Sequence, residues 1–469
     1  MTHDDLALMP ATVALDLFRK HQVSPVEVTS ALIARAEATA GSVNAFTFTY
    51  FEEALAAARL AEDRYMGRGE TPRPLEGLCV AIKDSGHIAG QPTSAGSLTM
   101  ADMPQPATSP VNQRVLDAGG IVHARSATPE FSCALFTRSR RWGVTRNPWN
   151  TDFSPGGSSG GAAAALTAGT TMLATGSDIA GSIRLPASCC GVVGYKPPKG
   201  RTPVDVPFNL DFYCHTGPLA RNIGDTILLQ NVLSGPHPED ITTLRTKKTI
   251  SPDHADLRGL RIAFSVDLGL YPIDPEVEAN TRATVARLKD AGAVVEEIQL
   301  DLNPGIEAAV EDHLIHIFAT SIEQSVSDPN RMTDYARTFA ERSRTAEPAA
   351  FLRALQIAGQ TGISFSRSMA PYDAFICPTT AIPSITADFD PLNDEIIING
   401  KRVSPFLGWA LTPLFNMLSS HPVLAVPSGR AKNGVPTGVQ IVGKPYDDDM
   451  VFRIGLSLEA AAPDLSRTA

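Results

Sequence analysis

The chain has 469 residues, which is enough for one large domain or two. Its net charge of −10 and the lack of any basic run exclude a typical nucleic-acid binder. The six cysteines form no C-x-x-C pair, the N-terminus MTHDDLALMP lacks the apolar core of a signal peptide, and no run of about 18 apolar residues occurs. We therefore expect a reduced, cytoplasmic protein with no membrane span and no nucleic-acid partner.

Residues 1–70 are predicted to be mostly helical. Apolar residues at helical spacing predict helix from Thr12 to Ala38, and Ser24-Pro25 marks the start of a second helix within that stretch. Another helix is predicted over Phe51–Asp63. We interpret residues 1–70 as a helical cap that belongs to the main domain.

From residue 71 to 469, apolar runs that predict strands alternate with periodic stretches that predict helices. The predicted strands are Leu78–Ile82, Ile121–Ala124, Leu173–Thr175, Val192–Val193, Leu260–Val266, Val294–Leu300, Phe375–Cys377, Val423–Val426 and Val439–Val442. The predicted helices include Pro110–Ala118, Pro275–Ala291, Ile306–Ser327, Arg331–Gly359 and one that ends at Glu459. This alternation indicates an α/β sheet covered on both faces, with an appended lobe around 235–360.

Three polar residues stand at positions that favour chemistry. Lys83 follows a buried strand, where it is either an ordinary surface lysine or a base whose pKa is lowered by burial. Ser158 lies in the turn SPGGSSGG, and Ser182 follows in the loop GSDIAGSIR. An alanine-rich helix between them, Ala162–Leu166 at its centre, would go out and a strand would return, so both serines would meet at one end of a sheet.

The turn around Ser158 also allows other interpretations. Residues 156–160 match G-x-S-x-G, the nucleophile elbow of α/β-hydrolases, which would make Ser158 the nucleophile with His215 or His421 as its partner. A plain flexible Gly/Ser loop is a third alternative.

Two other groups of polar residues have plainer explanations. Asp178 and Arg184 flank the Ser182 loop and are expected to form a structural ion pair. Glu311, His313 and His316 are candidate metal ligands, but without a clear further ligand we interpret the two histidines as packing or surface residues and expect no metal.

Several motifs together resemble the amidase signature family over most of the chain. Besides Lys83 they are Val43–Phe46, the turn Gly156–Gly161, the loop Gly176–Pro186, Gly194–Pro197, His215–Arg221 and Gly434–Gly443. The resemblance implies that residues 71–469 form an amidase domain with a large mixed β-sheet covered by helices. It also implies a Ser–cis-Ser–Lys triad, with Ser182 as nucleophile, Ser158 as the bridging serine after a cis peptide bond from Gly157, and Lys83 as base.

The mechanism that the resemblance implies needs no metal or organic cofactor. Lys83 takes a proton through Ser158, Ser182 attacks the amide carbonyl, and the N–H groups of Ile179, Ala180, Gly181 and Ser182 hold the oxyanion. Ala180 stands where the family usually has glycine, which leaves the substrate class open.

The expected activity is hydrolysis of small apolar or aryl amides, with esters or carbamates as further substrates. The pocket walls are predicted to come from Phe131–Trp142, Pro207–Tyr213, Ile315–Phe318 and Phe406–Leu414. The alternative within the family is the glutaminase-type component of a tRNA-dependent amidotransferase. A homodimer is left open.

Overall fold

The structure is a computed structural model that describes residues 1–253 and 256–461. In these ranges the α-helices are His3–Ala7 (α1), Ala11–Arg19 (α2), Pro25–Val43 (α3), Phe51–Tyr65 (α4), Pro110–Asp117 (α5), Gly160–Thr167 (α6), Arg184–Cys190 (α7), Ile223–Leu233 (α8), Pro275–Asp290 (α9), Ile306–Leu314 (α10), Thr320–Ser325 (α11), Asp334–Glu341 (α12), Pro348–Met369 (α13), Pro413–Met417 (α14) and Asp448–Ala461 (α15). The strands are Phe46–Thr49 (β1), Cys79–Lys83 (β2), Ile121–Ser126 (β3), Arg138–Ser139 (β4), Gly143–Val144 (β5), Leu173–Asp178 (β6), Val193–Lys196 (β7), His215–Ala220 (β8), Arg261–Phe264 (β9), Val294–Glu297 (β10), Ala374–Pro378 (β11), Ile396–Ile398 (β12), Lys401–Val403 (β13), Val423–Arg430 (β14) and Pro436–Gly443 (β15).

Eleven of the strands form one mixed sheet in the order β1-β3-β2-β6-β8-β7-β14-β15-β11-β9-β10. The pairs β3–β2, β2–β6, β11–β9 and β9–β10 are parallel, whereas the central pairs from β6 to β11 are antiparallel. The large mixed sheet with helices that the family resemblance implies is therefore confirmed.

The N-terminal helices pack on one end of this sheet. The predicted break at Ser24-Pro25 is confirmed, because Ser24 accepts the N–H of Glu27 in a capping box and Pro25 opens α3. Leu15, Phe18 and Leu32 belong to an apolar cluster that also holds residues of β2 and α8. Residues 46–49 add the edge strand β1, so this segment contributes to the sheet as well as covering it.

The alanine-rich helix α6 owes its composition to its position. All eight of its residues are buried, and Ala162, Ala163 and Leu166 pack against β2, β6 and α7. A helix that is apolar on every side must be buried, and small side chains let it approach its neighbours closely. The predicted path out along a helix and back along β6 is confirmed.

The region around 235–360 differs from the prediction in two ways. Strands β9 and β10 pair in parallel as expected, but β9 also pairs with β11, so this stretch continues the main sheet. Most of Arg331–Gly359 is helical, as expected, but not as one continuous helix. The chain instead forms α12 and then α13, because Pro348 occupies the first turn of α13 and disfavours helix at the preceding residue. The division of the chain at residue 70 stays a prediction.

The described helices include none that combines the length and the apolar character needed to cross a membrane. The larger apolar core lies under β7, β9, β11, β14 and β15 and is closed by α9, α10, α13 and α15. The carboxyl ends of β2 and β6, which are parallel neighbours, lie at one edge of the sheet and carry the candidate site.

Candidate active site

Lys83 ends β2, and its side chain is only 3% exposed. Its Nζ lies 2.6 Å from Ser158 Oγ and 2.9 Å from Ser177 Oγ. Burial lowers the pKa of this lysine from 10.5 to about 7, although the carboxylate of Asp178 and the thiol of Cys214 act in the opposite direction. Of the two alternatives that the sequence leaves open, the structure therefore shows the buried amine, which is largely uncharged in mildly basic solution.

The turn that carries Ser158 needs glycine at Gly157. A Cβ there would lie 2.3 Å from the carbonyl oxygen of Phe136, so only a residue without a side chain fits. The peptide bond from Gly157 to Ser158 is cis. Ser158 is buried, and the next residue, Ser159, donates its N–H to the carbonyl oxygen of Ser182 at 3.1 Å. The two serine-bearing segments are thus in direct contact, as the spacing of the two serines predicts.

The loop that carries Ser182 is organised by the buried carboxylate of Asp178. Burial alone would raise the pKa of Asp178, but the guanidinium of Arg184, whose Nη2 lies 2.9 Å from Oδ1, together with Asn416 holds it well below its usual range. The expected structural ion pair is therefore present. Asn416 extends the network by donating to the carbonyl oxygens of Asp178 and Tyr213 at 3.0 Å each.

Asp178 also receives backbone hydrogen bonds from the loop. Gly181 donates its N–H to Asp178 Oδ1 at 2.8 Å, so this N–H is not free to hold an oxyanion. Within the described ranges, the N–H groups of Ile179, Ala180 and Ser182 have no hydrogen-bond partner. Of the four expected donors, Gly181 is therefore engaged within the loop, and the role of the other three stays a prediction.

The conformation of the loop explains the residue types at positions 180 and 181. Gly181 has φ +115, and a Cβ on it would lie 1.9 Å from Thr412 Oγ1. Ala180 does not adopt a positive φ, so its methyl group is tolerated where the family resemblance leads one to expect glycine. Thr412 Oγ1 donates to the carbonyl oxygen of Ala180 at 2.7 Å and thereby holds the loop in place.

Two cavities open from the site, and each is named here by the candidate catalytic residue that lines it. The lysine-side cleft, about 860 Å³ in volume and partly open to solvent, is lined by Lys83, Ser158, Ser177, Cys214, Thr216, Phe208 and Asp205 among others. The serine-side pocket, about 650 Å³, is lined by Ser182, Ala180, Leu135, Phe136, Leu314, Phe339, Phe406, Leu407 and Trp409 among others. They share Ser132, Ile179 and Phe318, so the two cavities adjoin each other.

Each of the four stretches predicted as pocket walls supplies lining residues, namely Phe131, Phe208, Phe318 and Phe406. Among the residues described, however, no hydrogen bond joins the Ser182 hydroxyl to Ser158 or Lys83. The structure thus brings Lys83 and Ser158 into contact. Ser182 is placed next to them by the hydrogen bond between the Ser159 N–H and the Ser182 carbonyl oxygen.

The candidate metal ligands point elsewhere. His313 Nε2 lies 2.8 Å from Asp211 Oδ1, and His316 is held between the carbonyl oxygens of Asp312 and Glu347. Glu311 pairs with the guanidinium of Arg342. In residues 1–253 and 256–461, no cluster of three or more acidic, histidine or cysteine side chains is arranged to hold a metal ion.

Comparison with known proteins places this geometry in a family. A family model described as Amidase matches residues 27–452. The chain belongs to the amidase family. It is 31% identical to an acylamidase of Rhodococcus erythropolis, over 99% of this chain and 97% of that protein. It is also 31% identical to the A component of the glutamyl-tRNA(Gln) amidotransferase of Chloroflexus aggregans, over 95% of this chain and 96% of that protein. A solved bacterial aryl acylamidase of the amidase signature family superposes with a TM-score of 0.91 at 26% identity, and the match covers 98% of each chain.

As an amidase signature enzyme, the chain is an amide hydrolase, and the roles suggested for two histidines change accordingly. His215 Nδ1 lies 2.9 Å from the carbonyl oxygen of Tyr213, and His421 Nδ1 lies 2.7 Å from that of Gly443. Burial lowers both pKa values, that of His421 to about 4. Both rings are thus engaged by the backbone, and Ser158 faces an amine instead. The α/β-hydrolase alternative is not supported in this amidase.

Three residues of the amidase site escaped the sequence reasoning. Ser177 contacts Lys83 directly. The parallel register of β2 and β6 could have indicated it, because Ala81 pairs with Ala174 and Lys83 therefore lies level with the residue before Ser177. Thr412 and Asn416 come from a segment that is distant along the chain from the loop they contact. No local pattern in the sequence marks them.

Proposed function

We propose that this amidase hydrolyses small amides through an acyl-enzyme formed on Ser182. The observation that carries the proposal is the 2.6 Å contact between the buried Lys83 amine and Ser158 Oγ, together with the lowered pKa of that amine. An uncharged amine accepts a proton from Ser158, and Ser158 in turn accepts the proton of Ser182 as its oxygen attacks the carbonyl carbon.

The free N–H groups of Ile179, Ala180 and Ser182 are the proposed donors to the oxyanion. One such donor typically accounts for about 10²–10³ in rate. The C–N bond then breaks, and the proton held by Lys83 returns through Ser158 to the leaving nitrogen. Water cleaves the acyl-enzyme by the same route in reverse.

The composition of the serine-side pocket supports an apolar or aryl acyl group. Leu135, Phe136, Phe406 and Trp409 are among the residues that line it. The resemblance to an acylamidase and to an aryl acylamidase agrees with this proposal. Esters and carbamates of similar shape would pass through the same acyl-enzyme.

The 31% identity to an amidotransferase component supports a second candidate, glutamine hydrolysis within a larger complex. Glutamine carries a charged amino-acid group, which needs unpaired charges to bind it. In the serine-side pocket, Glu311 and Arg342 bind each other, which favours the first candidate. A glutaminase assay with and without the other amidotransferase components distinguishes the two.

Covalent labelling tests the proposed nucleophile. A fluorophosphonate probe should label the wild-type protein and the control Ser159→Ala, but not Ser182→Ala. Ser158→Ala should react slowly because it lacks the proton relay. Labelling that survives in Ser182→Ala and disappears in Ser158→Ala would transfer the nucleophile to Ser158.

A further inference from the structure

The two cavities correspond to the two halves of an amide, if the proposed function holds. The leaving nitrogen must receive the proton that Lys83 and Ser158 hold, so the amine half has to lie on their side, in the lysine-side cleft. The acyl half stays bonded to Ser182 and occupies the serine-side pocket. The following inference rests on that proposed function.

The charges of the two cavities differ. In the serine-side pocket, the charged side chains Glu311 and Arg342 form an ion pair. In the described lining of the lysine-side cleft, the charged side chains are Lys83 and Asp205. Because Lys83 is largely uncharged above pH 7, the carboxylate of Asp205 gives this cleft a net negative charge under the conditions in which the amine base works.

Asp205 is built into the wall of the cleft. Phe208 donates its N–H to the Asp205 carbonyl oxygen at 2.9 Å. The Ser109 hydroxyl donates to Asp205 Oδ2, and Ser109 in turn accepts the N–H of His87 at 2.9 Å. Among the described residues, Asp205 Oδ1 has no hydrogen-bond partner. One oxygen is thus fixed by the protein and the other is left for a ligand.

The surroundings of Asp205 favour a cationic ligand. Burial raises the pKa of Asp205, the Ser109 hydrogen bond opposes that shift, and the nearby ionisable groups are His87, His237 and Glu239. Burial also lowers the pKa of His87, which keeps this ring uncharged near neutral pH. A partly desolvated carboxylate of this kind gains most from a cation that lies against it.

We propose that Asp205 is a specificity-determining residue that selects amides whose amine half carries a second, protonated amino group. The preferred substrate class is therefore an apolar carboxylic acid joined to one end of a diamine. The apolar acyl part fills the serine-side pocket, and the distal ammonium donates hydrogen bonds to Asp205 Oδ1.

Two amides of nearly equal size test this proposal. N-(4-aminobutyl)hexanamide and N-pentylhexanamide differ only in an ammonium group that replaces a methyl group. Wild-type kcat/KM should favour the aminobutyl compound by about tenfold or more, the usual size of a hydrogen bond to a charged group. Asp205→Asn keeps an acceptor for Ser109 but removes the charge. In this variant the kcat/KM values of the two amides should differ by less than about threefold. The control Glu239→Gln removes an exposed carboxylate near Asp205 and should keep the preference.

Binding provides a readout that does not depend on turnover. The dissociation constants of the same two amides for Ser182→Ala, measured by calorimetry, should show the same preference, and the added Asp205→Asn change should abolish it. Equal affinities, or a preference that survives the loss of the carboxylate, overturn the inference. A preference in binding combined with no hydrolysis and no fluorophosphonate labelling of the wild type would leave Asp205 as a cation site and overturn the proposed function instead.

Discussion

Replacing Lys83 by methionine should abolish activity and yet stabilise the protein in mildly acidic solution. The side chain keeps its length, but the buried amine is gone. In the wild type, burial lowers the pKa of Lys83 from 10.5 to about 7, so below pH 7 the native state holds a buried charge that the unfolded chain hydrates freely. Between these two pKa values the unfolded state binds a proton that the native state lacks. The stability of the wild type therefore rises with pH across this window.

The size of the effect follows from the shift. A fall in pKa from 10.5 to about 7 corresponds to a cost of about 5 kcal/mol below pH 7, at 1.36 kcal/mol per pKa unit. The variant loses the contacts of Lys83 with Ser158 and Ser177. Both hydroxyls line the cleft that is partly open to solvent, so losing the partner costs about 1.5 kcal/mol for each, or about 3 kcal/mol together. We therefore expect Lys83→Met to be about 2 kcal/mol more stable than the wild type at pH 6, with equal stability reached near about pH 8–9.

Urea denaturation of both proteins at pH 6, 7, 8 and 9 measures this difference. Lys289→Met, which removes an exposed lysine, serves as the matched control and should show the pH dependence of the wild type. The reasoning is refuted if the curves of the wild type and Lys83→Met run parallel, or if the wild type is the more stable protein at pH 6.

In the wild type, kcat/KM should rise about tenfold per pH unit below pH 7 and level off above it, because only the uncharged amine accepts a proton.

Further changes test the loop around Ser182 and the acyl pocket. Gly181→Ala should destabilise the protein by about 3 kcal/mol or more in thermal or chemical denaturation, because its Cβ would overlap Thr412 and its φ is positive. Gly400→Ala, also at positive φ but in open space, should cost only about 1–2 kcal/mol. Thr412→Val should lower kcat about tenfold or more with little change in KM, since the Ala180 carbonyl loses its donor and the neighbouring N–H groups lose their alignment; an unchanged kcat would show that the loop holds itself. Phe406→Ala should move the preference in kcat/KM towards longer acyl chains, measured on a series of anilides.

The candidate catalytic residues could be predicted because the residues next to them in the sequence form recognisable patterns. Lys83 follows an apolar run, Ser158 lies between glycines, and Ser182 lies in a run of small residues, so each is marked by its immediate neighbours. The spacing between the serines then fits one helix and one strand, and α6 and β6 have those positions. Strand β8 was not predicted, because Gly217 and Pro218 are residue types that argue against a strand. Both nevertheless lie within the sheet.

The support of the site depends on contacts that no local pattern encodes. Asn416 and Thr412 reach the Ser182 loop from α14 and the residue before it, which are distant from that loop along the chain. The hydrogen bond from the Gly181 N–H to Asp178 is equally hard to predict from the sequence. It depends on how the loop folds back onto the Asp178 carboxylate. Counting small residues predicts that a loop can offer several donors, but only the folded geometry shows which of them remain free.

The proposed chemistry and the substrate selectivity depend on different parts of the fold. The proposed catalytic residues lie between positions 83 and 182, on strands and turns. Larger side chains are not tolerated beside them, because a Cβ at Gly157 or Gly181 would overlap other atoms. The walls of the two cavities come from separate segments such as α10 and the loop at Phe406. Side chains there can change without moving the buried amine or the serine loop. A family match over residues 27–452 therefore identifies an amide hydrolase, while the choice of substrate has to be derived from cavity residues such as Asp205.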